Sequence, residues 1–186
     1  MRLKVLVGGP FAAGKTTFIK TVCGRALTTD VAVANPAERR IKRTTTVAMD
    51  YGRVTVGGIK VHLFGTPGQA RFSRMIPVLA RGAHALLFLV DGASRSRILA
   101  AKRMYEARYK ALPVRARLVA ANKQDLPGAL EPRGVAEIMG LPEELVVPLV
   151  ALDRESAMGV LDRVVRMAAV GVEAGEPLGP ARRRGG

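Results

Sequence analysis

Three features of the sequence point to an α/β domain whose mostly parallel sheet is covered by helices on both faces. Short, continuous apolar runs alternate with helix-forming stretches, as in sheets whose strands are buried on both sides. The 186 residues suffice for one domain with a sizeable core. Hydrophobic residues make up 48% but aromatic residues only 4%, with no Trp, so Val, Leu, Ile and Ala must build that core.

Leu3 to Val7 reads as the first buried strand. A glycine loop follows, then a helix from about Gly14 to Cys23. Thr28 to Thr45 is polar and basic. Val47 to Val56 and Ile59 to Phe64 are β-rich runs joined by Gly57-Gly58, the signature of a hairpin, which makes one strand pair antiparallel. Gly65 to Gly68 is a loop, and Gln69 to Arg81 is expected to be helical around Pro77. Ala83 to Val90 is a second continuous apolar run and a buried strand. Ile98 to Leu112 is rich in helix formers. Arg117 to Ala121 is a strand that ends at Asn122, and Pro132 to Met139 is a short helix with Pro near its start. Leu145 to Val150 is the last strand. Glu155 to Val170 is the last helix, with an apolar stripe through Val160, Leu161, Val164, Val165 and Ala168. The sum is a three-layer sandwich around a six-stranded, mostly parallel sheet. One domain covers 1–172, and the Gly-, Pro- and Arg-rich stretch 173–186 reads as a flexible basic tail.

Lys and Arg number 30 against 15 Asp and Glu, a net charge of +15. A nucleic-acid or anionic-membrane partner is one consequence of such charge; an Arg-rich solvated surface is the other. The scatter of the basic residues favours the second. The densest groups, Arg39 to Arg43 and Arg182 to Arg184, lack the interleaved aromatics of a single-strand platform. DNA-specific binding is not expected, and peripheral membrane contact is not indicated. The lone Cys23 favours a reducing, cytoplasmic setting and reads as a packing residue. Met1 to Val7 runs straight into the glycine loop, so no signal peptide is expected. The longest apolar run, Ala83 to Val90, is too short to span a bilayer. His62 and His84 lie in strand-like runs without a ligand partner at metal spacing.

The first motif is Gly9-Pro10-Phe11-Ala12-Ala13-Gly14-Lys15-Thr16, a phosphate-binding loop between a strand and a helix. Backbone N–H groups and the helix N-terminus would cradle a β-phosphate. Lys15 would reach the β- and γ-phosphates, and the Thr16 hydroxyl would bind Mg²⁺. Thr17 follows within the same helix start.

The second motif, Asn122-Lys123-Gln124-Asp125, directly follows a strand and selects the base. The Asp125 carboxylate can accept two hydrogen bonds, from the N1–H and exocyclic amine of guanine. Adenine has no such donor pair and would leave Asp125 unpaired. Asn122 would brace the loop and Lys123 would pack over the base. The nucleotide expected is GTP or GDP. A P-loop kinase would share the first motif, but it needs neither this clamp nor a water-orienting glutamine.

These residues resemble the Ras-like small GTPases over nearly the whole chain. Gly-x-x-Ala-Ala-Gly-Lys-Thr-Thr is most similar to the Arf type. Thr46-Val47-Ala48-Met49-Asp50-Tyr51-Gly52 resembles a Rab-type first switch, which makes Thr46 the threonine for Mg²⁺ and the γ-phosphate, with Thr45 the alternative. Leu63-Phe64-Gly65-Thr66-Pro67-Gly68-Gln69 resembles the second switch. There Gly68 would offer its N–H to the γ-phosphate and Gln69 would orient the attacking water. Val150-Ala151-Leu152 falls where the family makes its last guanine contact, with the Ala151 N–H facing the base oxygen. With Asp153-Arg154-Glu155-Ser156, these segments are most similar to the GTPases of bacterial conservon-type operons. Members of that branch often occur beside small roadblock-type proteins, which implies a regulatory protein partner such as a roadblock-type protein, an activating protein or an effector.

Three departures from the wider family stand out. Gly65 replaces the Asp that normally holds Mg²⁺ through a water, so the site is weaker or another carboxylate does the job. Asp30 and Asp50 are the candidates by neighbourhood. Phe11 would crowd an arginine inserted by a partner. Arg43, three residues before Thr46, has the spacing of the built-in catalytic arginine of heterotrimeric G-protein α-subunits; the alternative is a solvated loop residue. Asp91 is expected only to cap a turn.

Overall fold

The computed structural model describes residues 1–24, 27–29, 49–68 and 70–173. Arg43, Thr45, Thr46, Gln69 and Asp30, the two basic clusters and the tail 174–186 lie outside them.

β1 (Arg2–Gly8) leads through the glycine loop into α1 (Lys15–Cys23). β2 (Leu27–Thr29) is followed by the hairpin of β3 (Met49–Val56) and β4 (Ile59–Gly65). A 3₁₀ turn over Ala70–Met75 precedes α2 (Ile76–Ala80). Then come β5 (Ala85–Asp91), α3 (Arg95–Arg108), β6 (Ala116–Asn122) and α4 (Pro132–Met139). A 3₁₀ turn at Glu143–Leu145, β7 (Val146–Leu149) and α5 (Arg154–Glu173) complete the described chain.

The sheet order is β2-β3-β4-β1-β5-β6-β7. The six expected strands are present, and β2 adds a short edge strand antiparallel to β3 within the stretch read only as polar and basic. β3 and β4 pair antiparallel, while β4-β1-β5-β6-β7 are parallel. Pro148 lies on β7, which among the described residues pairs only with β6. An edge strand tolerates the missing N–H.

Two apolar clusters sandwich the sheet. Phe18, Ile19 and Val22 of α1 and Leu161, Val164 and Val165 of α5 pack on one face with Val5, Val7 and Leu63. Ile76, Ile98, Tyr105, Val135 and Met139, from α2, α3 and α4, pack on the other with Leu6, Phe88 and Val119. The stripe expected on the last helix is therefore its buried face. The region expected as one helix around Pro77 is instead a 3₁₀ turn that gives way to five residues of α-helix, with Pro77 in the first turn. Pro disfavours α conformation before it and lacks an N–H, so it starts a helix but does not sit inside one. Among the described residues no helix is long and apolar enough to cross a membrane.

The parallel register aligns strand ends. Val7 stands beside Gly65, and Asp91 beside Asn122. Chain order reverses around β1, the switch point where open α/β sheets bind ligands at the carboxyl ends of their strands.

Candidate functional site

The glycine loop leaves β1 and enters α1 with Ala12 at φ 62° and Gly14 at φ 100°. Left-handed backbone turns successive N–H groups toward one point, forming an anion nest. Gly14 is also required sterically, because a Cβ there would overlap Asn122 Nδ2. The helix start has no side-chain cap, so its first N–H groups remain available to a phosphate. Lys15 is buried, and its ammonium donates to Gly9 O (2.8 Å) and Pro10 O (2.6 Å). Burial pushes its pKa down to about 8, with the charge of Asp50 acting in the opposite direction. Phe11 is 73% exposed at the crest of the loop. Gly68 lies against it: a Cβ at Gly68 would come 2.6 Å from Phe11 N and 2.8 Å from Lys15 Nζ. The loop, the lysine and the second-switch glycine thus face one another.

Asp50 is only 4% exposed, and its Oδ2 accepts a short hydrogen bond from Thr16 Oγ1. Its Oδ1 is the one buried side-chain polar atom without a partner among the described residues. A buried carboxylate oxygen left bare is costly unless a cation completes it. Gly65 explains how Asp50 fits: a Cβ at 65 would stand 3.0 Å from Asp50 Cβ and 3.1 Å from Ile19 Cδ1. Of the two sequence candidates, Asp50 is beside the Thr16 hydroxyl and Asp30 lies outside the described residues. A hydroxyl and a carboxylate are hard oxygen ligands and fit Mg²⁺.

On the base side, Asn122 ends β6 and is buried. Its Nδ2 donates to Ala13 O (2.9 Å) and its Oδ1 accepts from Ala151 N (2.9 Å). One amide therefore ties the phosphate loop, the base loop and the loop before α5. The Ala151 N–H, read in the sequence as a base contact, donates to Asn122 Oδ1, and Ala151 itself is buried. Leu152, the next residue, is 77% exposed. The segment Asp153 to Ser156 fixes this loop: Ser156 Oγ accepts from Val150 N (2.9 Å), and Asp153 Oδ2 accepts from Ser156 N (3.1 Å). Asp125 is exposed, its carboxylate without a partner among the described residues.

Lys123, at φ 71°, directs its amine to Asp91 Oδ2 (2.6 Å). Asp91 caps its turn as expected, accepting from Ala93 N at 3.1 Å, but it also pairs with Arg97. Burial alone would raise its pKa; the bonds from Lys123, Arg97 and Ala93 outweigh that and hold the carboxyl below its ordinary value. Sequence reading missed this role because strand register alone brings residues 91 and 122 together. It also missed the buried pair of Thr66 and Tyr109, whose hydroxyls lie 2.7 Å apart. His62 Nδ1 bonds Tyr51 OH (2.7 Å) and His84 Nδ1 accepts from Lys4 N (3.0 Å), so both histidines are held structurally. Cys23 is half-buried against the α1–α5 core, and burial pushes its thiol up to about 11.

Among solved structures, the fold is similar to the G domain of the T. maritima FeoB iron transporter, with TM-score 0.64 and 17% identity over 90% of this chain and 99% of that one. This likeness establishes the α/β fold of a P-loop G domain. The family model of the ADP-ribosylation factor family matches residues 1–160, which include the phosphate loop, the second switch, Asn122 to Asp125 and the loop before α5. The chain belongs to the ADP-ribosylation factor family of small, GTP-binding P-loop GTPases.

Proposed function

We propose that this protein is a guanine-nucleotide switch that hydrolyses GTP slowly on its own and regulates a partner protein. The observation that carries the reading is the pair of hydrogen bonds made by the Asn122 amide, which joins the phosphate loop to the base loop and to the loop before α5. Asp125 selects guanine, and the Gly9–Thr17 segment binds the phosphates. The segment at Ala151 and Leu152 meets the base edge. Thr16, Thr46 and Asp50 hold Mg²⁺, with Asp50 in the role that Asp has at position 65 elsewhere in the family. When bound, Mg²⁺ neutralises charge on the β- and γ-phosphate oxygens.

Hydrolysis is in-line attack of water on the γ-phosphate. Gln69 orients the water, Gly68 N–H and Lys15 stabilise the developing charge, and no strong general base is needed. Phe11 fills the approach that an inserted arginine would use, so stimulation by a partner follows another geometry, with Arg43 as an internal candidate. The segments around Thr46 and Gly68 are ordered by GTP and released by hydrolysis, which gives a roadblock-type or effector protein two states to distinguish. The conservon-type motifs support a bacterial, cytoplasmic setting.

Nucleotide analysis of the purified protein tests the reading. Co-purified GDP is the expected result; ADP would overturn the base assignment. Gln69→Leu should abolish most hydrolysis while leaving GDP affinity within about twofold, since orienting water acts in the transition state. If Arg43→Ala leaves the intrinsic rate unchanged, the arginine has no catalytic part.

A further inference from the structure

Tyr109 closes α3, and its ring is fully buried against Phe88, with centroids 5.0 Å apart. Gly8 clears its path: a Cβ there would come 2.6 Å from Tyr109 Cε1. The hydroxyl emerges beneath the phosphate loop, 2.7 Å from Thr66 Oγ1. Thr66 donates its own hydroxyl proton to Val7 O (3.3 Å) and its amide to the same carbonyl (2.9 Å).

With the Thr66 proton on Val7 O, Tyr109 donates to Thr66. Every member of the chain is then satisfied. Burial raises the Tyr109 pKa, so the phenol keeps its proton at neutral pH.

A core tyrosine needs one partner; this one finds it at the root of the loop that carries Gly68. Thr66, 2% exposed, roots the second switch, and the ring of Pro67 fixes the next φ. Gly68 follows directly, already close to Phe11 and Lys15. We propose that Tyr109 is a positioning residue that, through Thr66, fixes the root of the Gly68 loop against the end of β1 and so sets how the Gly68 amide meets the γ-phosphate. This rests on the reading of Gly68 as a γ-phosphate contact. GDP lacks that phosphate and so has no contact with the Gly68 amide to lose. Loss of the Tyr109 hydroxyl therefore penalises GTP more than GDP.

The test uses the full chain with fluorescent GDP and a fluorescent, non-hydrolysable GTP analogue. Tyr109→Phe should weaken the analogue about tenfold, the size of one lost hydrogen bond, and leave GDP within about twofold. Thr66→Val breaks the chain from its other end and should reproduce the selective loss, while Thr66→Ser keeps a hydroxyl and should restore analogue binding. If Tyr109→Phe does not fold, the comparison of Thr66→Val with Thr66→Ser decides. Equal losses for both nucleotides, no loss, or failure of Thr66→Ser to differ from Thr66→Val would each overturn the role of Tyr109. A wild-type protein that binds neither nucleotide overturns the functional reading first, and that outcome is distinguished before any variant is compared.

Discussion

Asp50 and Gly65 are best understood together. The family usually places its metal-associated carboxylate at the end of the strand occupied here by β4; this chain has Gly65 there and Asp50 on the neighbouring strand, pointing at Thr16. The carboxylate has one oxygen bonded and one bare. Asp50→Asn should therefore raise the Mg²⁺ concentration needed to retain GDP by about tenfold or more, because loss of a hard anionic ligand weakens the site. GDP release followed across a Mg²⁺ titration checks this, and wild-type behaviour would exclude Asp50 from the metal site. Restoring the family residue by Gly65→Asp should not help. Its Cβ would enter at 3.0 Å from Asp50 Cβ, overpacking the site and adding a second carboxylate. A loss of about 1–3 kcal/mol is expected, read as a lowered Tm in thermal unfolding.

Strand ends and the loops they carry behave as joined units. Asn122→Ala would leave Ala13 O and Ala151 N unpaired in a buried place, so it should cost about 2–4 kcal/mol and weaken GDP and GTP alike; urea unfolding with GDP titration measures both. At the opposite end of the sheet, His84 accepts the Lys4 amide and so joins β5 to β1. Burial, aided by Arg115 and Lys4, lowers its pKa from 6.5. In acid the unfolded chain takes up a proton that the folded His84 resists, so its contribution to stability is present above pH 6.5 and is lost as pH falls toward the lowered folded value. Tm measured from pH 7.5 down to about 5 should fall with a slope that His84→Gln reduces. Such joints explain what could be read from the chain alone. Apolar runs gave all six principal strands, and local chemistry placed the glycine loop between β1 and α1 and Asn122 at the end of β6. The 3₁₀ turn before Pro77 escaped because two helix types share composition there. β2 escaped because a three-residue edge strand depends on its neighbour β3 more than on its own residues. The link from Lys123 to Asp91 and the turning of Ala151 N–H toward Asn122 depend on register and loop packing, which no spacing rule encodes.

The molecule as a whole carries +15, and part of that charge has internal work. Arg117 holds the end of α3 through the carbonyls of Tyr109, Lys110 and Leu112, and Arg154 bonds Thr21 O. The exposed remainder should bind anionic polymers by counterion release alone. Retention on heparin is expected to collapse between about 50 and 200 mM salt, while GDP binding in the pre-organised site persists; salt-resistant RNA binding would argue for a dedicated nucleic-acid surface. The long reach of Asn122 has a further meaning in the order of synthesis. Ala13 leaves the ribosome before Asn122, whose amide secures its carbonyl and comes 109 residues later. At about 5–20 residues per second, that gap lasts about 5–20 s. During it, β1 has neither β4 nor β5 beside it for much of the time. The nascent chain therefore carries a complete phosphate-loop sequence before the residue that braces it has been made.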